Sequence, residues 1–233
     1  MWTYSSTYKH SKYFSKFQHI NDNLEQQALS IYRSWFVDFE PFKGGKLIDS
    51  ELGKVPEGWK VGTLKDFVYI KYGKDHKKLA DGAIPTYGSG GIMRYVEKAI
   101  CDHGESVLVP RKGTLNNVIY TSEPFWSVDT MFYTKMKRNH VAKYIYFFMK
   151  KQDLAYMNAG SAIPSMTTDI LNVIQLNIPA EQQMKTFDET IQPLFNQILR
   201  YEKQNEILIE VRNTLLPKLM SGEINVSSLD LGC

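Results

Sequence analysis

Lysine and histidine side chains crowd one short stretch of the chain, directly after a β-like run. This stretch contains Lys71, Tyr72, Lys74, His76, Lys77 and Lys78. Lysines on a mobile loop can neutralise phosphates, and phosphate contacts supply most of the non-specific affinity for nucleic acid. The stretch is therefore a candidate phosphate-binding loop, and a solvated charged loop is the alternative.

A glycine-rich turn is a second candidate contact. Tyr87 is followed by Gly88, Ser89, Gly90 and Gly91, and Arg94 comes three residues later. Glycines let the backbone approach a groove closely, and arginine can contact guanine or phosphate. We predict contacts from Ser89, Gly90 and Arg94, with a simple hairpin turn as the alternative.

Charged and amide donors follow the apolar run at residues 107–109. They are Arg111, Lys112, Thr114, Asn116 and Asn117. Arginine reads guanine and asparagine reads adenine through paired hydrogen bonds in the major groove. We favour base contact for this segment over two alternatives, which are a structural turn and an internal ion pair of Arg111.

Two more loops, at residues 126–130 and 161–167, present short polar side chains between apolar anchors. We expect both loops to shape the same surface, with Ser165 as a contact residue. Trp126 is predicted to lie in the core. Ser165 and Thr167 alternatively cap a turn of helix at residues 167–171.

Catalytic chemistry has weak support in the sequence. Asp66, Asp75 and Lys77 loosely resemble the acidic pair and lysine of a metal-dependent nuclease, but such spacing is common by chance. The chain has no GxxxxGK[ST] phosphate loop, and Cys101 and Cys233 lack the spacing of a zinc site. We predict no catalytic centre, metal or cofactor.

The elements that position these residues follow from periodicity. Three- and four-residue apolar steps from about Lys12 to Val37 predict a helix, which Pro41 and the following glycines should end. A linker is expected over 43–58. Short β-rich runs at 107–109, 118–120 and 131–133 predict an α+β domain over 59–179, and Val141–Lys151 is expected to form a buried helix.

The segment 180–222 carries apolar residues at a 3.5-residue repeat, which is typical of a coiled coil. Pro193 either opens the long helix or kinks it. From there to Leu216 the helix would be about 36 Å long, at 1.5 Å per residue. That length favours a partner helix over the alternative that the apolar stripe covers only its own domain.

Composition adds bounds. The hydrophobic content of 43% is enough for a buried core, and the net charge of +3 does not by itself prove a nucleic-acid partner. No stretch approaches the ~18 apolar residues of a membrane span, and the N-terminus lacks the apolar core of a secretory signal. We expect a soluble, cytoplasmic protein that does not bind membranes.

Seven segments together resemble the specificity subunits of type I restriction-modification systems. They are INDNLEQQALSIYRSWFVDFEPF (20–42), VPEGWKVGTL (55–64), IPTYGSGGI (84–92), VLVPRKGT (107–114), FWSVDTMFY (125–133), GSAIPSMT (160–167) and RNTLLPKLMSGEI (212–224). Several unrelated motifs in family order and at family spacing make the resemblance specific.

The resemblance implies target-recognition domains that alternate with helical spacers, each domain reading one half of a split DNA target. This chain resembles half of such a subunit, with a spacer remnant at 1–42, one recognition domain at 59–179, a spacer at 180–222 and a tail at 223–233. The nine prolines include no Pro-Pro pair, so the Asn/Asp-Pro-Pro-aromatic motif of an adenine methyltransferase is absent.

The implied partners are double-stranded DNA, a methyltransferase subunit, a restriction subunit indirectly, and a second half subunit, which is another copy or a different chain. The helix residues expected at subunit interfaces are Leu24, Ile31, Trp35, Phe36, Ile198, Tyr201, Asn205, Leu208, Arg212 and Leu215. The alternative function is a remnant, silent cassette or regulatory protein that does not bind DNA and acts through its helices.

Overall fold

The computed structural model describes residues 3–157 and 165–224, with side chains described from residue 19 onward. These residues fall into two compact units. One runs from Tyr32 to Thr190, and the other combines the first helix up to Ile31 with the segment that begins at Ile191. No helix in the described ranges is long and apolar enough to cross a membrane.

Ten strands follow one another between the first two helices, and one more strand precedes the last helix. The helices are α1 (Thr3–Phe36), α2 (Ala142–Lys151), α3 (Thr168–Asn172) and α4 (Glu181–Met220). The strands are β1 (Leu47–Ser50), β2 (Gly53–Pro56), β3 (Lys60–Thr63), β4 (Val68–Tyr72), β5 (Asp81–Gly88), β6 (Gly91–Val96), β7 (Ser106–Pro110), β8 (Ile119–Thr121), β9 (Trp126–Ser127), β10 (Met131–Met136) and β11 (Gln175–Ile178). Short 3₁₀ turns occupy Glu40–Phe42 and Leu64–Asp66.

The unit Tyr32–Thr190 is built on small sheets. The largest is antiparallel with strand order β4-β10-β7-β8, and a second sheet has the order β6-β5-β9 with β5 and β9 parallel. The remaining strands form the pairs β11-β3 and β1-β2. The predicted α+β class, the three predicted strand runs and the helix α2 agree with this fold.

The centre of the larger sheet is deeply buried. All five residues of β7 are buried, as their run of apolar side chains predicts for a central strand. Leu108 packs in a cluster with Phe125, Met131 and Tyr133. Full burial of a side chain of this size contributes about 1.5–3 kcal/mol, so this cluster fixes the loops that leave β7 and enter β10.

An aromatic cluster joins the end of α1, helix α2 and the start of α4 within the same unit. Phe36 lies 4.7 Å from both Tyr144 and Phe187, measured between ring centroids, and Trp35 lies 5.9 Å from Phe187. Aromatic pairs at such separations contribute about 0.5–1.5 kcal/mol beyond their buried area. The aromatic residues near 35 therefore serve the core of their own unit.

Helix α1 ends before Pro41, in agreement with the predicted stop. The N–H groups of Val37 and Asp38 both donate to the Arg33 carbonyl at 2.9 Å, and Phe39 takes a left-handed conformation with φ 55°. This pattern satisfies the last carbonyls of a helix and turns the chain away. The segment predicted as a linker, 43–58, contains the hairpin β1-β2, because Gly53 at φ 97° permits the reversal.

Helix α4 is continuous from Glu181 to Met220, with Pro193 and Pro217 inside it. The alternative that the long helix begins near Pro193 is therefore wrong. In the helical unit, the side-chain amide of Asn21 on α1 donates to the Ile198 carbonyl on α4 at 3.5 Å. The two helices are thus in contact within the helical unit.

Candidate nucleic-acid interface

The loop after β7 meets the predicted loop at residues 161–167. The Met166 N–H donates to the Arg111 carbonyl at 2.8 Å, and Lys112 forms an antiparallel bridge with Ser165. Residues 161–164 lie outside the described part of the chain. Two segments more than 50 positions apart, each predicted independently, therefore present their residues side by side.

The glycine-rich turn meets the same loop. The Asn117 side-chain amide donates to the Ser89 carbonyl at 2.8 Å. Gly113 has φ 83°, and a Cβ atom there would lie 2.6 Å from the Ser89 hydroxyl oxygen. The positive φ strains any other residue at this position, so Gly113 allows the close approach, and Asn117 holds the turn at Gly88–Gly91 against the loop.

Arg111 lies at the junction of these loops, and its charge is unpaired among the residues that the structure describes. Its Nη1 donates to the Asp129 carbonyl at 3.1 Å, and its guanidinium carbon lies 5.6 Å from the centre of the Tyr72 ring. Tyr72 itself is 53% exposed and rests on Phe132. The internal ion pair considered for Arg111 is not made with any described residue, and a planar donor group is left oriented by a carbonyl and a ring.

The root of the basic loop is fixed beside this arginine. The Gly73 N–H donates to the Met131 carbonyl at 3.0 Å, and the Trp126 indole donates to the Lys74 carbonyl at 3.0 Å. A Cβ atom at Gly73 would lie 1.9 Å from the Val128 carbonyl oxygen, which no side chain tolerates. Trp126 is buried as predicted. The exposed lysines Lys74, Lys77 and Lys78 therefore extend from a rigid base.

Three predicted contact residues have internal roles instead. Arg94 pairs with Asp81 at 2.5 Å and donates to the Leu79 carbonyl, so its charge is already neutralised. Asn116 accepts a hydrogen bond from the Ala155 N–H at 3.1 Å, and Asn117 holds Ser89. These contacts support the loops, and DNA contact by the three side chains stays a prediction.

Met93 is a surface residue that the sequence analysis did not select. The register of β5 and β6 shifts at Thr86/Tyr87, which leaves Met93 as the extra residue of a β-bulge. Its side chain is 59% exposed, and its sulfur would meet a Cβ atom added to Gly88. Bulges redirect side chains next to functional sites. The sequence does show an apolar pair, Ile92 and Met93, directly after the glycine turn. The search for polar donors did not select it.

The two carboxylates of the nuclease alternative serve local turns. Asp66 accepts hydrogen bonds from the Thr63 N–H and hydroxyl at 2.8 and 3.0 Å, and these bonds, the N–H first, lower its pKa. Asp75 accepts from the Lys77 N–H at 3.0 Å, which likewise lowers its pKa. Thr167 caps α3 through Ile170. Across the described residues, no three His, Cys, Asp or Glu side chains gather to hold a metal ion.

The predicted interface residues of the helices divide into buried and exposed groups. Phe36 and Leu24 are 6% and 8% exposed, and Trp35 packs on Phe42 and Phe187. Phe36 is covered by its own unit, whereas Trp35 is only half-buried, so its role at a subunit interface stays a prediction. Ile31, Ile198 and Tyr201 are half-buried, Asn205 is buried, and Leu208, Arg212 and Leu215 are exposed.

The fold defines a class of protein. A solved structure described as the type I restriction-modification system S subunit from M. genitalium matches with a TM-score of 0.66 and 16% identity, over 92% of this chain and 58% of that chain. The chain therefore has the fold of a type I specificity subunit, with one α+β domain flanked in sequence by long helices.

The chain belongs to the family described as the type I restriction modification DNA specificity domain, which matches residues 56–210. The MjaIX specificity subunit of Methanocaldococcus jannaschii is 26% identical over 90% of this chain and 55% of that protein. The HindI specificity subunit of Haemophilus influenzae is 22% identical over 88% of this chain and 62% of that protein. The chain thus spans little more than half the length of these relatives.

Proposed function

We propose that this chain carries one target-recognition domain of a specificity subunit and reads one half of a split DNA target. The gathering of three separate loops around Arg111 carries this proposal. We name the exposed and half-buried residues there the reading surface, and its members are Tyr72, Ser89, Met93, Arg111, Lys112 and Ser165.

The chemistry of the reading surface suits a DNA groove. Arg111 has donors to spare after its single bond to the Asp129 carbonyl, and paired donation to the two acceptors of guanine is the commonest specific arginine contact. Met93 offers an apolar surface for a thymine methyl group. The neighbouring lysines, Lys74, Lys77 and Lys78, supply phosphate contacts that position the domain without selecting sequence.

The reactions of the complex then belong to its partners. We propose that the helices dock a methyltransferase subunit, through which the restriction subunit joins. Methyl transfer and ATP-driven steps would come from those subunits, since this sequence lacks their motifs.

A second copy of the chain would complete the split target. On α4, Leu208, Val211 and Leu215 are 36%, 42% and 43% exposed, although they continue the apolar repeat. A two-fold dimer places identical surfaces on inverted half-sites, so two copies would read a palindromic motif. Sedimentation of the wild type should show a dimer at micromolar concentration, and Leu208→Glu with Leu215→Glu should shift it to monomer. Monomer alone for the wild type, with or without the methyltransferase subunit, contradicts this pairing.

Methylome sequencing of cells that express the chain with its methyltransferase subunit tests the proposed function. A split palindromic methylated motif is the expected result. An absence of modification favours the alternative, a regulatory or silent form that acts only through its helices.

A further inference from the structure

The basic loop, which spans residues 74–80, is held to the domain at both of its ends. At its start, the Lys74 carbonyl accepts a hydrogen bond from the Trp126 indole at 3.0 Å. Near its end, Leu79 packs on the buried apolar cluster that contains Trp126. The exposed Lys77 lies between these two points, so the structure fixes the loop on either side of it.

Arg94 on β6 holds the far end of the loop. Its Nη2 donates to the Leu79 carbonyl at 3.2 Å and pairs with the Asp81 carboxylate at 2.5 Å. The Arg94 side chain is 30% exposed, so most of it is covered. One side chain therefore joins β6 both to the end of the loop and to the first residue of β5.

The backbone of β6 also lies close to this end of the loop. The Glu97 N–H donates to the Ala80 carbonyl at 3.1 Å, and the Glu97 carboxylate accepts from the Ala80 N–H at 3.2 Å. A Cβ atom at Gly82 would lie 2.5 Å from both the Glu97 Cα and the Val96 carbonyl oxygen. Backbone atoms cannot rotate away, so a side chain at residue 82 would displace this end of the loop from β6.

We propose that Arg94 is a positioning residue, which holds the basic loop in the conformation that binds DNA phosphates. This inference rests on the proposed function, in which the lysines of the loop supply those contacts. Ordering a flexible loop opposes binding, so a loop that is already held binds more tightly. The Arg94 charge is paired with Asp81, which favours this role over a phosphate contact of its own.

Asp81→Ala with Arg94→Ala removes this anchor and leaves the formal net charge unchanged. The apparent affinity falls with the fraction of free chains whose loop is in place, and we expect it to fall roughly threefold. The loss should be equal on a duplex that carries the methylome motif and on a scrambled duplex of the same composition. Because no phosphate contact is removed, the slope of log affinity against log salt should not change. Fluorescence anisotropy titrations of the full-length chain measure both quantities.

Hydrogen exchange of the free chain gives a readout that does not depend on DNA. The Leu79 N–H donates to the His76 carbonyl at 3.1 Å, and the Ala80 N–H donates to Glu97. Release of the loop breaks these bonds more often, so both amides should exchange faster in the Asp81/Arg94 variant than in the wild type.

Two further variants separate loop position from charge. Glu40→Ala with Lys43→Ala removes an exposed ion pair outside the loop, and it should leave affinity, salt slope and exchange unchanged. Gly82→Ala displaces the same end of the loop without altering any charge, and it should also weaken binding with an unchanged slope. Thermal unfolding establishes that each variant is folded.

The outcomes distinguish this proposal from the proposed function. Wild-type affinity in the Asp81/Arg94 and Gly82 variants overturns the positioning role, as do unchanged exchange rates at Leu79 and Ala80. A salt slope that falls by about 1 in the Asp81/Arg94 variant also overturns it, because that result assigns Arg94 to a phosphate contact. A wild type that binds motif and scrambled duplexes equally overturns the proposed function instead, and the anchor would still affect both duplexes alike.

Discussion

Two charged regions of the unit Tyr32–Thr190 use their cations in opposite ways. In the first, Lys143 is 1% exposed and pairs with Glu105 at 2.5 Å and Asp188 at 2.7 Å. In the second, Arg111 rests on the Asp129 carbonyl and the Tyr72 ring without an acid. The first arrangement holds the fold together, and under the proposed function the second leaves donors for the base edges of DNA.

The difference is one of desolvation. A buried cation without its acids costs several kcal/mol, so the group around Lys143 is complete and includes His140, whose Nδ1 lies 2.8 Å from Asp188. A cation that water can reach is stabilised by hydration, so it does not require a carboxylate partner. Unneutralised charge in a fixed geometry is therefore a better indicator of a site than charge alone.

We expect the largest effect on stability when one acid is removed from the buried group around Lys143. Asp188→Ala leaves Lys143 buried with one acid fewer, and we expect the free energy of unfolding to fall by about 3–5 kcal/mol. Urea unfolding measures this loss. Glu189→Ala, an exposed neighbour on the same helix, should change stability by less than about 0.5 kcal/mol. Equal stability of the two variants would show that the buried group does not hold the fold.

We expect a smaller effect, on DNA affinity, when one lysine is removed from the basic loop. Lys77→Ala removes a phosphate contact from the basic loop, so affinity for motif and scrambled duplexes should fall about equally. The salt slope should drop by about 1 on both duplexes. Fluorescence anisotropy titrations measure both quantities. A loss confined to the motif duplex would instead assign Lys77 to base reading.

Arg94 is an intermediate case, because its charge is paired but its acid is exposed. Its partner Asp81 is 93% exposed, and exposed ion pairs contribute about 0–1 kcal/mol. We therefore expect Arg94→Ala to lower the free energy of unfolding by no more than about 1 kcal/mol and to leave the preference for the motif intact. Loss of motif preference in a folded Arg94→Ala protein would return this arginine to the reading surface.

The strands and helices could be predicted from the sequence because their patterns are local. The apolar run at 107–109 and the helix at Val141–Lys151 depend on periodicity and burial, which neighbouring residues carry. The resemblance gave the order of the domain and its flanking helices. The predicted loops also meet, since Ser165 lies against Lys112 and Asn117 holds Ser89.

The roles of single side chains depend on tertiary partners that no local pattern reveals. Arg94 and Arg111 follow similar apolar runs, yet among the described residues only Arg94 has an acid, supplied across the hairpin by Asp81. Trp35 was predicted at a subunit interface because it continues the apolar stripe of α1. In the structure it packs on Phe187, in the aromatic cluster of its own unit. Met93 depends on a register shift that sequence spacing does not encode.

The affinity of Arg111→Ala for motif and scrambled duplexes tests the central claim most directly. The account predicts that the wild type prefers the motif duplex and that the variant loses about 1–3 kcal/mol of binding to it, while binding to the scrambled duplex changes much less. Unfolding curves establish that the variant remains folded. Equal losses on both duplexes, or no loss on either, would contradict an Arg111-centred reading surface.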